Sequence, residues 1–534
     1  MRPPIDPRRA ALILVALFGA IYPGWLAIGS FAEHAAAAQE KENPKKKAAD
    51  DEPITKTPFY FGAKSCSNAS CHSSPPAAWP LPLLCKCDEY KIWQEKDKHA
   101  DAYNVLLGDR GKRMSKLLGY EVSNDPKCLS CHAVVIKDTV GYKNGKEVPY
   151  KGDDIKKAPS FTLTEGVSCT VCHGSYLEWE ERHKNENRLD EWRPLTRKQK
   201  EHRYGMTDLW NPATRTKLCA SCHIGHAGDG TNPAKIVTHD MYAAGHPPLP
   251  GFEAAMFSDE MPRHWDYLGQ KKKAVQKAQG YDGKTREPTQ LLLVGAAVSL
   301  GESLRLIAAQ AAAQKEGGDP ELAMFDCYSC HHEIRSPSWR LTKPAVEKPG
   351  RVPMRTWPLE LVRLSVHHLA KDDAGVKDEM GKLDAHIKAL EKAFVAKQLG
   401  DAPKIVAVAT AFAEWADGLA LRLHDSTVDE KATKKLLALL PRMFAKVTLD
   451  YDSARQVAWG YKVLSEDLGG GKEKPSPSLA DLATYLALRF PEGRMKKEAK
   501  MSPLESELGK RMRTLYDYEP KHFRDLLGKL GGGK

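Results

Sequence analysis

Residues 166–174 read GVSCTVCHG, in which Cys169 and Cys172 are separated by two residues and His173 follows at once. Two thiols one short turn apart can add to the two vinyl groups of a porphyrin, and the adjacent imidazole then reaches the iron from the same side. Outward from this stretch the pattern returns three times: Cys128, Cys131 and His132; Cys219, Cys222 and His223; Cys327, Cys330 and His331. Structural zinc sites also use C-x-x-C pairs, but they do not require a histidine after the second cysteine every time. The fourfold signature therefore assigns these residues to covalently attached haem c.

A looser copy lies upstream in SCSNASCHSS, residues 65–74, where four residues separate Cys66 from Cys71 and His72 follows. The longer loop still brings two thiols to one porphyrin, which gives about five haems, each with its iron. The alternative for this stretch is a disulfide with His72 incidental. Cys85 and Cys87, in LLCKCDEY (83–90), fit no attachment motif. Three roles stay open for them: a strained pairing with each other, a bond elsewhere, or an unusual axial ligand.

An iron held by one histidine is either closed by a second axial ligand, which suits electron transfer, or left open, which suits chemistry. The chain has 19 histidines, and those outside the motifs supply the second ligands. His99 in IWQEKDKHADAY and His183 in CHGSYLEWEERH lie on expected helices beside attachment motifs. His239 and His246 in THDMYAAGHPPLP stand seven residues apart, near one face of a helix. His226 and His332 sit too close to His223 and His331 to cap the same iron. His202, His264, His367, His368, His386, His424 and His522 lack a motif neighbour and read as packed or surface residues; His34 falls in the leader. Four distal candidates for five irons leave one haem with an open face.

The formal net charge is +11, but no Lys/Arg stripe interleaved with aromatics supports a nucleic-acid partner. Five haems would bring roughly −10 as ionised propionates and nearly cancel the excess. Residues Ala10 to Ala32 are uncharged and mostly apolar, follow Arg2, Arg8 and Arg9, and run into Ala35 to Ala38. That is an export signal over residues 1–38, or an uncleaved N-terminal membrane anchor of adequate length. The location expected is therefore periplasmic or otherwise exported.

A charged linker, QEKENPKKKAADDEPITKT, fills residues 39–57. Residues 58–340 form the expected pentahaem domain, rich in Gly, Pro and short loops because stacked macrocycles replace aliphatic side chains as buried apolar mass. Within it TQLLLVGAAVSLGESLRLIAAQAAAQ (289–314) reads as one long helix. Residues 341–534 form a helical C-terminal region, either a separate bundle or a shell over the haem domain. Helices are expected at Leu359 to Ala370, Met380 to Leu399, Ala407 to His424 and Glu430 to Lys446, with Ser478 capping another. The fold class is mainly α with extensive loops: a multihaem cytochrome c fold with stacked haems plus this helical region.

The chain resembles the multihaem cytochromes of the c-554 family, through DKHADA (97–102), GVSCTVCHG, LCASCHIG (218–225) and HDMYAAGHP (239–247). FDCYSCHHEIRSPSWR (325–340) is similar to longer, five-haem, planctomycete-like members. The resemblance implies a periplasmic electron carrier whose partners are periplasmic or membrane-bound redox proteins. It also implies His132, His173, His223 and His331 as proximal ligands, and His99, His183, His239 and His246 as distal ones. The competing expectation is a reductase or oxidase of a small nitrogen or sulfur compound at the open haem.

Overall fold

The structure is a computed structural model that describes residues 62–73, 84–134, 139–143, 146–150, 163–174, 177–184, 189–229, 233–314, 320–331, 351–469, 476–488, 514 and 516–531. In the cysteine-bearing half, short helices alternate with loops: α1 (Glu89–Lys96), α2 (Asp109–Leu118), α3 (Pro126–His132), α4 (Cys169–His173), α5 (Leu177–Lys184), α6 (Arg197–Tyr204), α7 (Pro212–His223), α8 (His239–Ala244) and α9 (Ala254–Glu260). Three attachment motifs form the last turns of α3, α4 and α7, so that the two cysteines of each, three residues apart, share a helix face. Two of these helices have strong starts: Asp125 accepts from Lys127 N, Asn211 accepts from Ala213 N and Thr214 N, and a proline occupies the first helical position in both. The fifth motif lies instead on the short 3-10 turn Cys327–Ser329.

The cysteine-bearing half also holds a hairpin that was not expected. Strands β1 (Thr139–Lys143) and β2 (Lys146–Tyr150) pair antiparallel, with Thr139 opposite Tyr150 and Lys143 opposite Lys146. The Asn144-Gly145 dipeptide between them is a strong short-range hairpin signal.

The long apolar run folds as α10 (Glu287–Ala312). Around it are arranged α11 (Glu360–Leu369), α12 (Asp373–Val395), α13 (Ala402–His424), α14 (Glu430–Phe444), α15 (Tyr451–Gly469), α16 (Pro477–Tyr485) and α17 (Pro520–Leu530). Helix α10 packs on α7, α9, α11, α13 and α15. It is long and apolar enough to cross a membrane, yet 72% of its most apolar window is buried inside the protein, as befits a core helix that is hydrophobic all round. One apolar cluster runs through it from Ala220 to Leu527, so haem-motif helix α7 and the C-terminal helices share a core. Each fully buried Leu or Phe there stabilises by about 1.5–3 kcal/mol.

The C-terminal helices that periodicity marks fall where it puts them, with ends that differ for local reasons, whereas α15 and α17 were not expected. Helix α12 begins at Asp373 because Asp372 caps it, accepting from Gly375 N; its polar first turns carry no apolar face to read. Helix α16 is capped by Ser476 rather than Ser478, since Pro477 takes the first helical position.

Candidate haem sites

Each motif histidine is faced by one other histidine. The ring centres of His72 and His183 are 5.7 Å apart, those of His99 and His223 6.2 Å, and those of His132 and His246 6.3 Å. His173 and His264 are separated by 6.5 Å, and His239 and His331 by 6.2 Å. Two imidazoles binding opposite faces of one metal, with bonds of about 2 Å each, would place their ring centres roughly 6 Å apart. The five pairs fit that requirement. In the tightest of them the Nε2 atoms of His72 and His183 are 3.4 Å apart, and seating an iron there needs that pair to open by about half an ångström.

The other ring nitrogen is tied back in four of these histidines. His72 Nδ1 donates to Glu89 Oε2 (2.8 Å), and His99 Nδ1 to Asp97 Oδ1 (2.9 Å). His132 Nδ1 donates to the carbonyl of Ala102 (2.7 Å), and His246 Nδ1 to that of Pro247 (2.8 Å). Such partners fix the tautomer and leave Nε2 with its lone pair for a metal. Burial lowers the pKa of His173 and His223 to about 3 and of His183 and His246 to about 4, keeping the neutral form that a metal requires. Burial also pushes His72 and His99 down, but the hydrogen bonds and charges of Glu89 and Asp97 outweigh it and raise both.

Local backbone sets these positions. His99 lies on the 3-10 turn Lys98–Asp101 rather than on a regular helix, and its carbonyl accepts from Val167 N (2.9 Å). Gly166 makes that approach possible: its φ is 60°, and a β-carbon there would meet the His99 carbonyl oxygen at 2.5 Å. Helix α8 ends at Ala244, and Gly245 (φ 121°) turns the chain, so His239 and His246 serve different partners instead of one helix face. Phe252 stacks on His223 at 5.9 Å; Phe257 meets the same ring edge-on at 5.0 Å and continues to Trp459 in the core.

His264 is the partner that the sequence reading set aside. It follows α9 in MPRHWDYLG, a loop folded onto Asp259 by Arg263 and by the hydroxyl of Tyr267 (3.1 Å). No helical period or adjacent motif signals it, because long-range packing brings it to His173. The reading of one open iron therefore lacks its basis. His226 forms a backbone bridge with Lys235 and accepts from Gly228 N, and His202 is exposed. His386 stacks on Phe412 in the helical half. His34 and His332 lie outside the described residues, as do the expected export segment and linker.

None of the twelve cysteines forms a disulfide. The thiols of Cys66 and Cys169 hydrogen-bond, as do those of Cys131 and Cys222, and Cys172 lies within electrostatic reach of Cys219 and Cys222. The motifs are thus neighbours in the spatial order His72, His173, His223, His132. The turn between His239 and His246 adds His331 at the end. There Arg355 donates to Phe325 O (3.1 Å) and Cys327 Sγ (3.4 Å), a cation suited to a haem propionate. Cys71 at one end and Cys330 and His331 at the other are exposed, whereas no cysteine or histidine of the three middle motifs is.

Residues 65–174 match the family model described as cytochrome c554 and c-prime, a span that holds His99 and the first three motifs. The chain is a c-type cytochrome. No curated protein and no solved structure matches it. The family brings covalently bound haem c and electron transfer to this cytochrome, and its matched segment carries both the four-residue spacer and the unassigned Cys85 and Cys87.

Proposed function

We propose that the cytochrome is an exported five-haem electron carrier in which every iron has two histidine ligands. The ligand pairs are His72 with His183, His173 with His264, His223 with His99, His132 with His246, and His331 with His239. Haem thioethers fall on Cys66 and Cys71, Cys128 and Cys131, Cys169 and Cys172, Cys219 and Cys222, and Cys327 and Cys330. The observation that carries this reading is that all five motif histidines have one histidine partner at 5.7–6.5 Å. Bound haem supplies one-electron chemistry. The chain's residues orient the axial imidazoles, hold four of them by Nδ1 and leave the middle sites less exposed than the two ends.

The spatial order makes the His72 and His331 sites the ends of a relay. Their exposed Cys71 and Cys330 favour these ends as the points where periplasmic or membrane-bound redox proteins give and take electrons. The apolar stretch Ala10 to Ala32 supports export. The enzyme alternative needs an iron with an open face, and the five pairs leave it no candidate.

Intact mass should give five haems, and the ferric protein should show only low-spin electron paramagnetic resonance signals, with no nitrosyl species after reduction and nitric oxide. His264→Ala should convert one haem in five to a high-spin, nitric-oxide-binding form, while His202→Ala changes nothing. A high-spin iron in the unaltered protein would overturn the carrier reading in favour of chemistry at that site.

A further inference from the structure

Cys85 and Cys87 belong to no haem motif, yet their sulfurs lie 3.8 Å apart. Cys87 has φ 67°, one of only two non-glycine residues in the left-handed region among the described residues. That turn brings the two side chains closer than the roughly 7 Å at which alternate residues stand along one face of an extended strand. Left-handed backbone costs a side-chain-bearing residue about 1–3 kcal/mol and gathers where function demands it.

The loop is coupled to the first haem site through one carboxylate. Glu89 Oε1 accepts from the backbone N–H groups of Lys86 and Cys87, while Glu89 Oε2 accepts from His72 Nδ1 at 2.8 Å. Cys87 also lies within electrostatic reach of Cys71, the cysteine next to His72. Exchange with soluble thiols is disfavoured: Cys87 is 4% exposed, Cys85 is half-buried, and burial pushes the Cys85 thiol up to about 12, away from the thiolate that exchange requires. Its nearest redox partner is therefore within the chain.

We propose that Cys85 and Cys87 form a dithiol/disulfide couple that exchanges electrons with the haem at the His72 site. This rests on the haem reading of that site. In the oxidising direction two S–H bonds break and one S–S bond forms. The sulfurs lose two electrons, which reduce two ferric haems, those of the His72 and His173 sites, by one electron each; two protons leave to water. In reverse, two ferrous haems return the electrons, and two protons restore the thiols. The pair would let a one-electron relay accept or deliver electrons two at a time at its exposed end.

The test uses the full-length haem-loaded protein, poised with mediators at a series of potentials, quenched in acid and alkylated with N-ethylmaleimide. The expected result is a peptide spanning Cys85 and Cys87 that carries two alkyl groups when the haems are reduced and none when they are oxidised, reversibly. Reductive titration should consume two electrons per chain beyond those accounted for by haem absorbance. The double variant Cys85→Ser, Cys87→Ser should lose those two electrons and keep its haem count. A peptide that stays dithiol, or stays disulfide, across the whole haem titration overturns the couple. Haem attachment to Cys66 and Cys71 is read separately by peptide mass: its absence overturns the site reading and the couple with it, whereas its presence beside unchanging thiols overturns the couple alone.

Discussion

The two halves of this chain are built from different materials. In the helical half, Phe394, Phe412, Phe444, Trp459 and Phe523 are fully buried in one continuous cluster around α10. In the cysteine-bearing half, buried side chains gather in small groups: Trp179, Trp192 and Tyr204 in one, Ala63, Trp93 and Ala100 in another. Such groups bury too little apolar surface to offset the ordering cost of so many loop residues. What the first half lacks in side chains the haems supply, so the two halves differ in what their folding depends on.

The strongest way to break that comparison is to withhold haem. Protein made without haem attachment should lose hydrogen-exchange protection in Glu89–Lys96, Asp109–Leu118 and Arg197–Tyr204, while Glu287–Ala312 and Ala402–His424 remain protected. Loss of protection in α10 and α13 as well would show that the helical core also needs the haems. Phe257 lies at the seam between the halves, beside α7, and touches both His223 and Trp459. Protection should fall off across α9.

The difference in materials also decides what could be read from sequence. Attachment motifs are legible because covalent chemistry fixes their spacing within a few residues, and C-terminal helices because a shared core imposes a 3.6-residue period. His99 and His183 were legible beside motifs, yet their partners were not, since each is set by packing across the fold. His264 was missed for the same reason, being placed by its loop's bonds to Asp259 and not by any period. Helix starts at Asp372 and Ser476 turned on capping, where hydrophobic pattern is silent.

A smaller effect sharpens the seam. Glu253 caps α9, accepting from Ala255 N (2.9 Å) and Met256 N (2.7 Å), and burial raises its pKa from 4.5 to about 7 despite those bonds. Asp259 adds to the rise and Lys462 opposes it. A carboxyl with a raised native pKa contributes stability that is fully present below pH 4.5 and is lost as pH rises through about 7. At about 1.4 kcal/mol per unit the loss is at most about 3.5 kcal/mol. Denaturant melts of Glu253→Gln should therefore lack most of the decline between those pH values that the unaltered protein shows. Parallel profiles for the two proteins would mean that the seam carries no such charge cost.

The smallest effect separates the halves by what a single carboxylate does. Asp97 is buried, and its Oδ1 accepts from both His99 N (3.0 Å) and His99 Nδ1 (2.9 Å). Its own pKa is pulled below the usual range because that hydrogen bond and the imidazole's charge outweigh burial. A carboxylate on Nδ1 gives the ring more anionic character and favours ferric over ferrous iron; an amide of the same shape keeps the backbone cap but removes the charge. Asp97→Asn should raise the midpoint of the haem between His99 and His223, and a tenfold loss of ferric preference corresponds to about 59 mV for one electron. The midpoints of the other proposed haems should move far less, His132 and His246 being held by neutral carbonyls. In the helical half, Asp378→Asn, which breaks an exposed pair with Lys382, should leave the haem midpoints in place. If both substitutions shift the potentials equally, the haems respond to net charge alone and the Asp97 hydrogen bond tunes nothing.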